Sequence, residues 1–277
     1  MKPALVVAIA DLHINSTVGL CPPAVNLDDG GTYRASKSQR VVWSAWKQFW
    51  ELVAEKAKAE KARLYVVVNG DLNDFNVHDG AGLISRVRSD VIKMSVQVLG
   101  PVLDITSRLF IVRGTEAHTG RHANLEEAVA KDIGAIKDDE AGTWSWRWLR
   151  AEFNKVLFDI SHHPQTFARR PWTVGSAPAR QSAIIRDEYL ERGERVSDIA
   201  LRAHVHYYVP GAREPKPQVF YLPPWQLTET YARRLGATAC RPIGGLWFLC
   251  QNGDYTWDAE IWKPRKLGIG KGIWKES

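Results

Sequence analysis

Cysteine is scarce in this chain: Cys21, Cys240 and Cys250 are the three present among 277 residues. Their spacing fits no zinc-ribbon or zinc-finger pattern, and three thiols make no disulfide framework, so a cysteine-stapled secreted scaffold is excluded. They read most simply as free thiols in a reducing compartment, with a Cys240–Cys250 pairing across a hairpin as the alternative, and the expected location is cytoplasmic. No apolar run is long enough to span a bilayer, which excludes a helical membrane protein and leaves no membrane partner expected. Met1-Lys2-Pro3 leads straight into an apolar run and leaves no room for a secretory leader. Internal repeats and low-complexity tracts are also lacking, which excludes a repeat array.

What is present is ordinary globular usage, with 45% hydrophobic and 25% charged residues and enough chain to bury a full core. The net charge of +6 favours acidic partners such as nucleic acid. That charge is spread out, however. Lys56, Lys58, Lys61 and Arg63 share their stretch with Glu51, Glu55 and Glu60, the pattern of a solvated surface with mixed charge pairs. Tryptophan is the unusual component, at 12 residues. Trp43, Trp46 and Trp50 have helical spacing and read as core. Trp144, Trp146 and Trp148 alternate as in a strand, so they are expected to share one face, buried against a helix. Exposed, such a face would stack bases.

Along the chain, apolar runs of strand length fall at Ala4–Ala10, Leu64–Val68, Leu109–Val112, Val156–Ile160 and Ile199–Leu201. Helical periodicity covers Gln39–Ala62, Ile84–Leu103, Asn124–Ala130 and Arg180–Arg192. A polar loop, Asn15–Ser38, leaves the first strand and is placed to form a lid. The alternation argues for an α/β sheet. Val219–Leu227 puts a strand before a Pro-Pro turn. Gly244–Cys250 and Tyr255–Trp262 read as a hairpin through Asn252-Gly253-Asp254 that extends the second sheet. The expected organisation is one domain over residues 1–262 followed by a mobile basic tail, 263–277.

Four short pieces follow strand-like runs and concentrate metal-ligand residue types: Asp11-Leu12-His13, Gly70-Asp71-Leu72-Asn73-Asp74, His162-His163-Pro164 and His204-Val205-His206. Strand ends are rigid mounts, and ligands of α/β sheets bind outside their carboxyl ends. Carboxylate and imidazole together suit zinc, manganese or iron. Residues two apart on an extended segment point the same way, so Asp11 and His13 are expected to face one ion.

In these pieces the chain resembles the calcineurin-like metallophosphoesterases, whose pattern is D-x-H, G-D-x-x-[DN], G-N-H-[DE], a lone H and G-H-x-H. The matches are Asp11 and His13; Gly70, Asp71 and Asp74; His162; and His204 and His206, with Ala203 in place of the glycine. The resemblance spans residues 4–210. It implies an α/β fold, a two-sheet β-sandwich flanked by helices in αββα layers. It also implies two divalent metal ions, with manganese favoured among manganese, zinc, iron and nickel. Asp11, His13 and His206 would hold one ion, His162 and His204 the other, and Asp71 would bridge them. The activity implied is hydrolysis of a phosphate ester by a metal-activated hydroxide. A phosphodiesterase or nuclease acting on nucleotide or nucleic acid is the leading expectation. The alternatives are a phosphomonoesterase or nucleotide hydrolase with a small substrate, and a non-catalytic scaffold on the same fold. The run Gly114–His118 with the late Pro224-Trp225-Gln226-Leu227 also looks like bacteriophage-encoded members.

The third block departs from the pattern: Gly114-Thr115-Glu116-Ala117-His118 stands where G-N-H is expected. Thr115 replaces the amide ligand and is a poorer one. Glu116 is an alternative oxygen donor, or else an ordinary acid in a first helical turn. His118 is the expected group at the leaving oxygen, with metal ligation as its alternative. Of the adjacent pair, His162 is expected to be the ligand and His163 to act behind it or on substrate. Asp74 is expected to support a ligand. Arg169 and Arg170 are substrate candidates. Arg113, His78 and His122 read as surface or salt-bridged residues.

Overall fold

The computed structural model describes residues 2–75, 82–166, 171–228 and 241–263. His78, Arg169, Arg170, Cys240 and the basic tail beyond Lys263 lie outside the described residues.

In chain order the elements are β1 (Ala4–Ile9), β2 (Ala24–Asn26), β3 (Thr32–Arg34), α1 (Lys37–Ala59), β4 (Arg63–Asn69), α2 (Arg88–Leu103), β5 (Arg108–Val112), a one-turn α3 (Glu116–Thr119) and α4 (Asn124–Asp132). They continue with β6 (Leu149–Phe153), β7 (Val156–Ile160), α5 (Ala177–Glu191), β8 (Ile199–Arg202), β9 (Val209–Pro210), β10 (Gln218–Tyr221), β11 (Ile243–Gln251) and β12 (Asp254–Trp262). Two five-stranded sheets result, ordered β12-β11-β1-β4-β5 and β6-β7-β8-β10-β9. Strands β1, β4 and β5 run parallel, as do β7, β8 and β10.

Side chains on successive strand residues face opposite ways, and the burial follows that period. In β1, Leu5, Val7 and Ile9 enter a cluster shared with α1 and α2, while Val6 and Ala8 enter a second cluster with Phe158, Leu201, Phe220 and Phe248. The second cluster lies between the sheets. A third joins the far face of the second sheet, through Ala200, Val219 and Tyr221, to Ile185 and Tyr189 of α5. The layers are therefore helix, sheet, sheet, helix, as the resemblance implies. α1 presents Val42, Trp46, Phe49, Trp50 and Val53 to the first sheet. Each large side chain so buried contributes roughly 1.5–3 kcal/mol. No described helix is long and apolar enough to cross a membrane.

Three expectations are corrected. The hairpin β11–β12 does not extend the second sheet; β11 pairs antiparallel with β1 and closes the first. Its alternation fits either sheet, because Leu246, Phe248 and Cys250 face the space between the sheets and Trp247 faces α1. Trp144, Trp146 and Trp148 are not in a strand. Trp146 makes a single bridge to Val112 of β5, but at Trp144 and Ser145 the Glu127 carboxylate accepts from the backbone N–H groups in place of a strand neighbour. The three indoles diverge: Trp144 packs on the helix-side cluster, Trp146 packs between the sheets, and Trp148 is 46% exposed. Residues 15–38 do not form a bare lid loop. Leu20, Cys21 and Val25 are buried in the helix-side cluster, and the tip is tied to α2 where Asp28 N–H donates to Asp90 and Gln97 donates to the Ala24 carbonyl. Cys21 and Cys250 are free and buried.

Candidate metal centre

The loops that leave the carboxyl ends of β1, β4, β5, β7 and β8 carry Asp11, Asp71, Thr115, His162 and His204 respectively. Hydrogen bonds draw them together. Asp11 and His13 N–H groups donate to the Gly70 and Asp71 carbonyls at 3.0 and 2.9 Å, and Ala203 N–H donates to the His162 carbonyl at 2.8 Å. Across the sheets, His162 Nδ1 donates to the Asn69 carbonyl at 2.7 Å and Asn69 Nδ2 donates to the Ser161 carbonyl at 3.1 Å. Trp225 N–H, in the turn after Pro223-Pro224, donates to the Asp11 carbonyl at 3.0 Å.

The backbone here is unusual. Asp11, His13, Asp71, His204 and His206 have φ of 52, 43, 48, 68 and 53°. Left-handed backbone is uncommon in non-glycine residues, and strain of this kind clusters at functional sites. It also corrects the extended-segment argument: Asp11 and His13 do reach the same place, but from a left-handed turn. Two glycines allow the close approach. A Cβ at Gly70, whose φ is +80°, would lie 2.2 Å from His162 Nδ1, and one at Gly114 would lie 2.1 Å from Asp71 N.

Two groups of side chains meet. In the first, His13 Nε2 is 3.2 Å from His206 Nε2, and His206 Nε2 is 3.3 Å from Asp11 Oδ1. In the second, Thr115 Oγ1 lies 3.1 Å from His204 Nδ1, 3.2 Å from His163 Nε2 and 3.5 Å from His162 Nε2. Asp71 stands between the groups: its Oδ2 is 3.1 Å from His162 Nε2 and 3.9 Å from His13 Nε2. Thr115 N–H donates to Asp71 Oδ1 at 2.5 Å. The expected ligands Asp11, His13, Asp71, His162, His204 and His206 are thus all brought together.

The residues fit metal ions. His13 Nδ1 is buried without a hydrogen-bond partner, a costly condition unless something else satisfies it, and Asp11 Oδ1 meets only imidazole edges, His206 Nε2 at 3.3 Å and His162 Nε2 at 3.9 Å. Two facing imidazole nitrogens at 3.2 Å have the spacing of donors that each sit about 2.0–2.1 Å from one cation.

Electrostatics agree. Burial raises the Asp71 carboxyl, but the charges of His162, His13 and His118 outweigh it and hold the group well below the usual carboxylate range. Burial opposes charge on His162 too, yet Asp71, Asp11 and the Asn69 carbonyl lift it to about 10. Burial leads in lowering His13 to about 4 and His163 to about 4, the latter helped by the charges of His162 and His204.

Around this set, Asp74 faces His118 Nδ1 at 3.3 Å and His13 Nδ1 at 3.8 Å. His118 packs edge-on against His13, with ring centres 4.6 Å apart. Glu116 is corrected: it is 64% exposed and turned to His122, whose N–H it accepts, so it offers no oxygen to the centre. The one-turn α3 directs residue 116 outward while Thr115, at its start, faces in. Arg113 bonds Ser145 and pairs with Glu127.

Sequence reasoning missed Glu126. It is fully buried in α4, and its two oxygens accept from Leu72 N–H at 3.0 Å and Gly114 N–H at 2.8 Å. It thereby clamps the loops that carry Asp71 and Thr115. An acid in a first helical turn is common, so nothing in the sequence marked it out.

Five loops meeting at the strand ends of a helix-flanked double sheet, in the order of the family's motif blocks, decide the architecture. The fold is that of the calcineurin-like metallophosphoesterases. No family model matches the sequence, and no curated protein matches it. Among solved structures, the chain is similar to Vacuolar Protein Sorting 29 from Cryptosporidium parvum, with 12% identity and a TM-score of 0.45 over 95% of this chain and 100% of that one. It is similar to a dimetal phosphatase from Danio rerio, with 10% identity and a TM-score of 0.44 over 92% and 95% of the two chains. It is also similar to a 5'-nucleotidase from Candida albicans, with 8% identity and a TM-score of 0.45 over 96% of this chain and 53% of that one. Likenesses this distant carry no argument about activity.

Proposed function

We propose that this protein is a metal-dependent phosphoesterase that hydrolyses phosphodiesters of nucleotide or nucleic-acid type. The observation that carries the reading is Asp71, held between two groups of imidazoles at 3.1 and 3.9 Å. Asp11, His13 and His206 would hold one divalent ion, His162 and His204 the other, and Asp71 both. When bound, such ions acidify water to near neutral pH and provide positive charge for the phosphoryl oxygens.

The chain's own groups then do the rest. Asn69 fixes the His162 ring through Nδ1 and turns Nε2 toward Asp71. Asp74 fixes His118 through Nδ1, which orients that ring to pass a proton to a leaving oxygen, as a positioned general acid does. The exposed sides of His163 and His204 leave room for a chain-like substrate. Residues 15–38 are tied to the helical layer, and the net charge of +6 attracts polyanions.

Hydrolysis of bis(p-nitrophenyl) phosphate and of p-nitrophenyl phosphate, with divalent metal supplied, tests the proposal. The diester should turn over faster. Faster monoester turnover would sink the diester assignment. Two bound ions without turnover of either substrate would favour the scaffold reading, to which Thr115 in the amide position lends its one support.

A further inference from the structure

The resemblance supplies an amide oxygen for the second ion, and Thr115 stands in that place with only a hydroxyl. A neutral hydroxyl is a weak donor, so the position needs another ligand. His163 is there. Its Nε2 is 3.2 Å from the same Thr115 oxygen that faces His204 and His162. The three rings do not stack in parallel. His163 is 4.8 Å from His162 at 89° and 4.6 Å from His204 at 49°, measured between ring centres and planes. One ring nitrogen from each of His162, His163 and His204 lies within 4.8 Å of the other two.

We propose that His163 is a ligand of the second ion, which is therefore bound by three imidazoles and the Asp71 carboxylate. This rests on the metal-dependent reading above. Thr115 then acts as a positioning residue: its N–H and hydroxyl hold the two Asp71 oxygens at 2.5 and 3.2 Å, and the hydroxyl also meets the rings. The two positions differ in chemistry. The first draws on Asp11, His13, His206 and Asp71, with equal shares of oxygen and nitrogen. The second has three nitrogens and one oxygen. Imidazole-rich sets suit zinc, nickel and copper, whereas oxygen-rich sets suit magnesium and manganese, and three histidines are an established zinc set. The second position should therefore take zinc in preference to manganese by a wider margin than the first.

Calorimetric titration of the chelator-stripped full chain with zinc tests this, alongside His163→Ala. The exposed His163 ring makes the variant a mild one for folding, and circular dichroism checks that. The wild type should bind two equivalents. The variant should keep the first and bind the second about tenfold or more weakly, since even outer-shell partners of a ligand are worth that much. X-ray absorption at the zinc edge should show fewer imidazoles per zinc in the variant. Two equivalents with wild-type affinity and an unchanged imidazole count in His163→Ala would overturn the proposal and leave the phosphoesterase reading standing. A wild type that takes up manganese but no zinc would overturn this proposal alone, and one that takes up neither would overturn both.

Discussion

At Asp71 two loops and two groups of rings meet, its carboxylate lying 3.9 Å from His13 and 3.1 Å from His162. Asp71→Ala should therefore remove both ions, whereas His206→Ala should weaken only the first. Metal content per chain by mass spectrometry separates the two outcomes, and two ions retained in Asp71→Ala would end its bridging role. Glu126 yields a pH prediction. Burial first, and then the Asp71 charge, push its carboxyl up from 4.5 to about 7. A raised folded-state pKa contributes stability that is complete below the unfolded value and lost as pH rises through the folded one. Metal-free protein should thus lose roughly 3 kcal/mol from this group between about pH 4.5 and 7. Denaturant unfolding of Glu126→Gln across that window should show a flatter profile than wild type, and an equal slope would refute the assignment. The candidate ligand residues were legible as a group because D-x-H and H-x-H are rare in chance company. Glu126 was not, because its role lies in the backbone N–H groups of Leu72 and Gly114, which every sequence has.

Elements were legible where one local period decided them. α1 has its apolar stripe and a start signal that closes in both directions: Gln39 N–H donates to Ser36 Oγ at 3.2 Å, and Ser36 N–H donates to Gln39 Oε1 at 2.9 Å. Ser36→Ala should cost about 1 kcal/mol and lower Tm by about 2–4 °C, with metal uptake unchanged; calorimetry and metal content together check it. A helix read from Ile84 begins instead at Arg88. The cause is distant in sequence: Asn15 accepts from Ser85 N–H and donates to the Ser85 carbonyl, which holds that segment as a loop. The tryptophan triplet failed for a similar reason, since Glu127 satisfies backbone that a strand neighbour was expected to pair. The misplaced β11–β12 hairpin shows the limit of periodicity. An alternating strand states that it has two faces, not which sheet it joins.

For the whole molecule, the candidate centre draws side chains from both sheets: Asp11, His13 and Asp71 follow β1 and β4, while His162, His204 and His206 follow β7 and β8. Ions held there would tie the sheets together at one end, and binding only the folded form would add about 2.7 kcal/mol at a hundredfold excess over Kd. Zinc added to chelator-stripped protein should raise Tm, and the increment should shrink in Asp71→Ala. An equal increment in both would place the stabilising ions elsewhere.

The left-handed backbone at five of the candidate ligands has a consequence for the protein's history. Strained conformations of this kind cost roughly 1–3 kcal/mol each, and glycine adopts them without that cost. Where no metal is available, selection that rewarded heat resistance and ignored hydrolysis would then favour glycine at Asp11, His13, Asp71, His204 or His206. Sequences drifting toward metal-free structural use should thus lose their chemistry first at these turns.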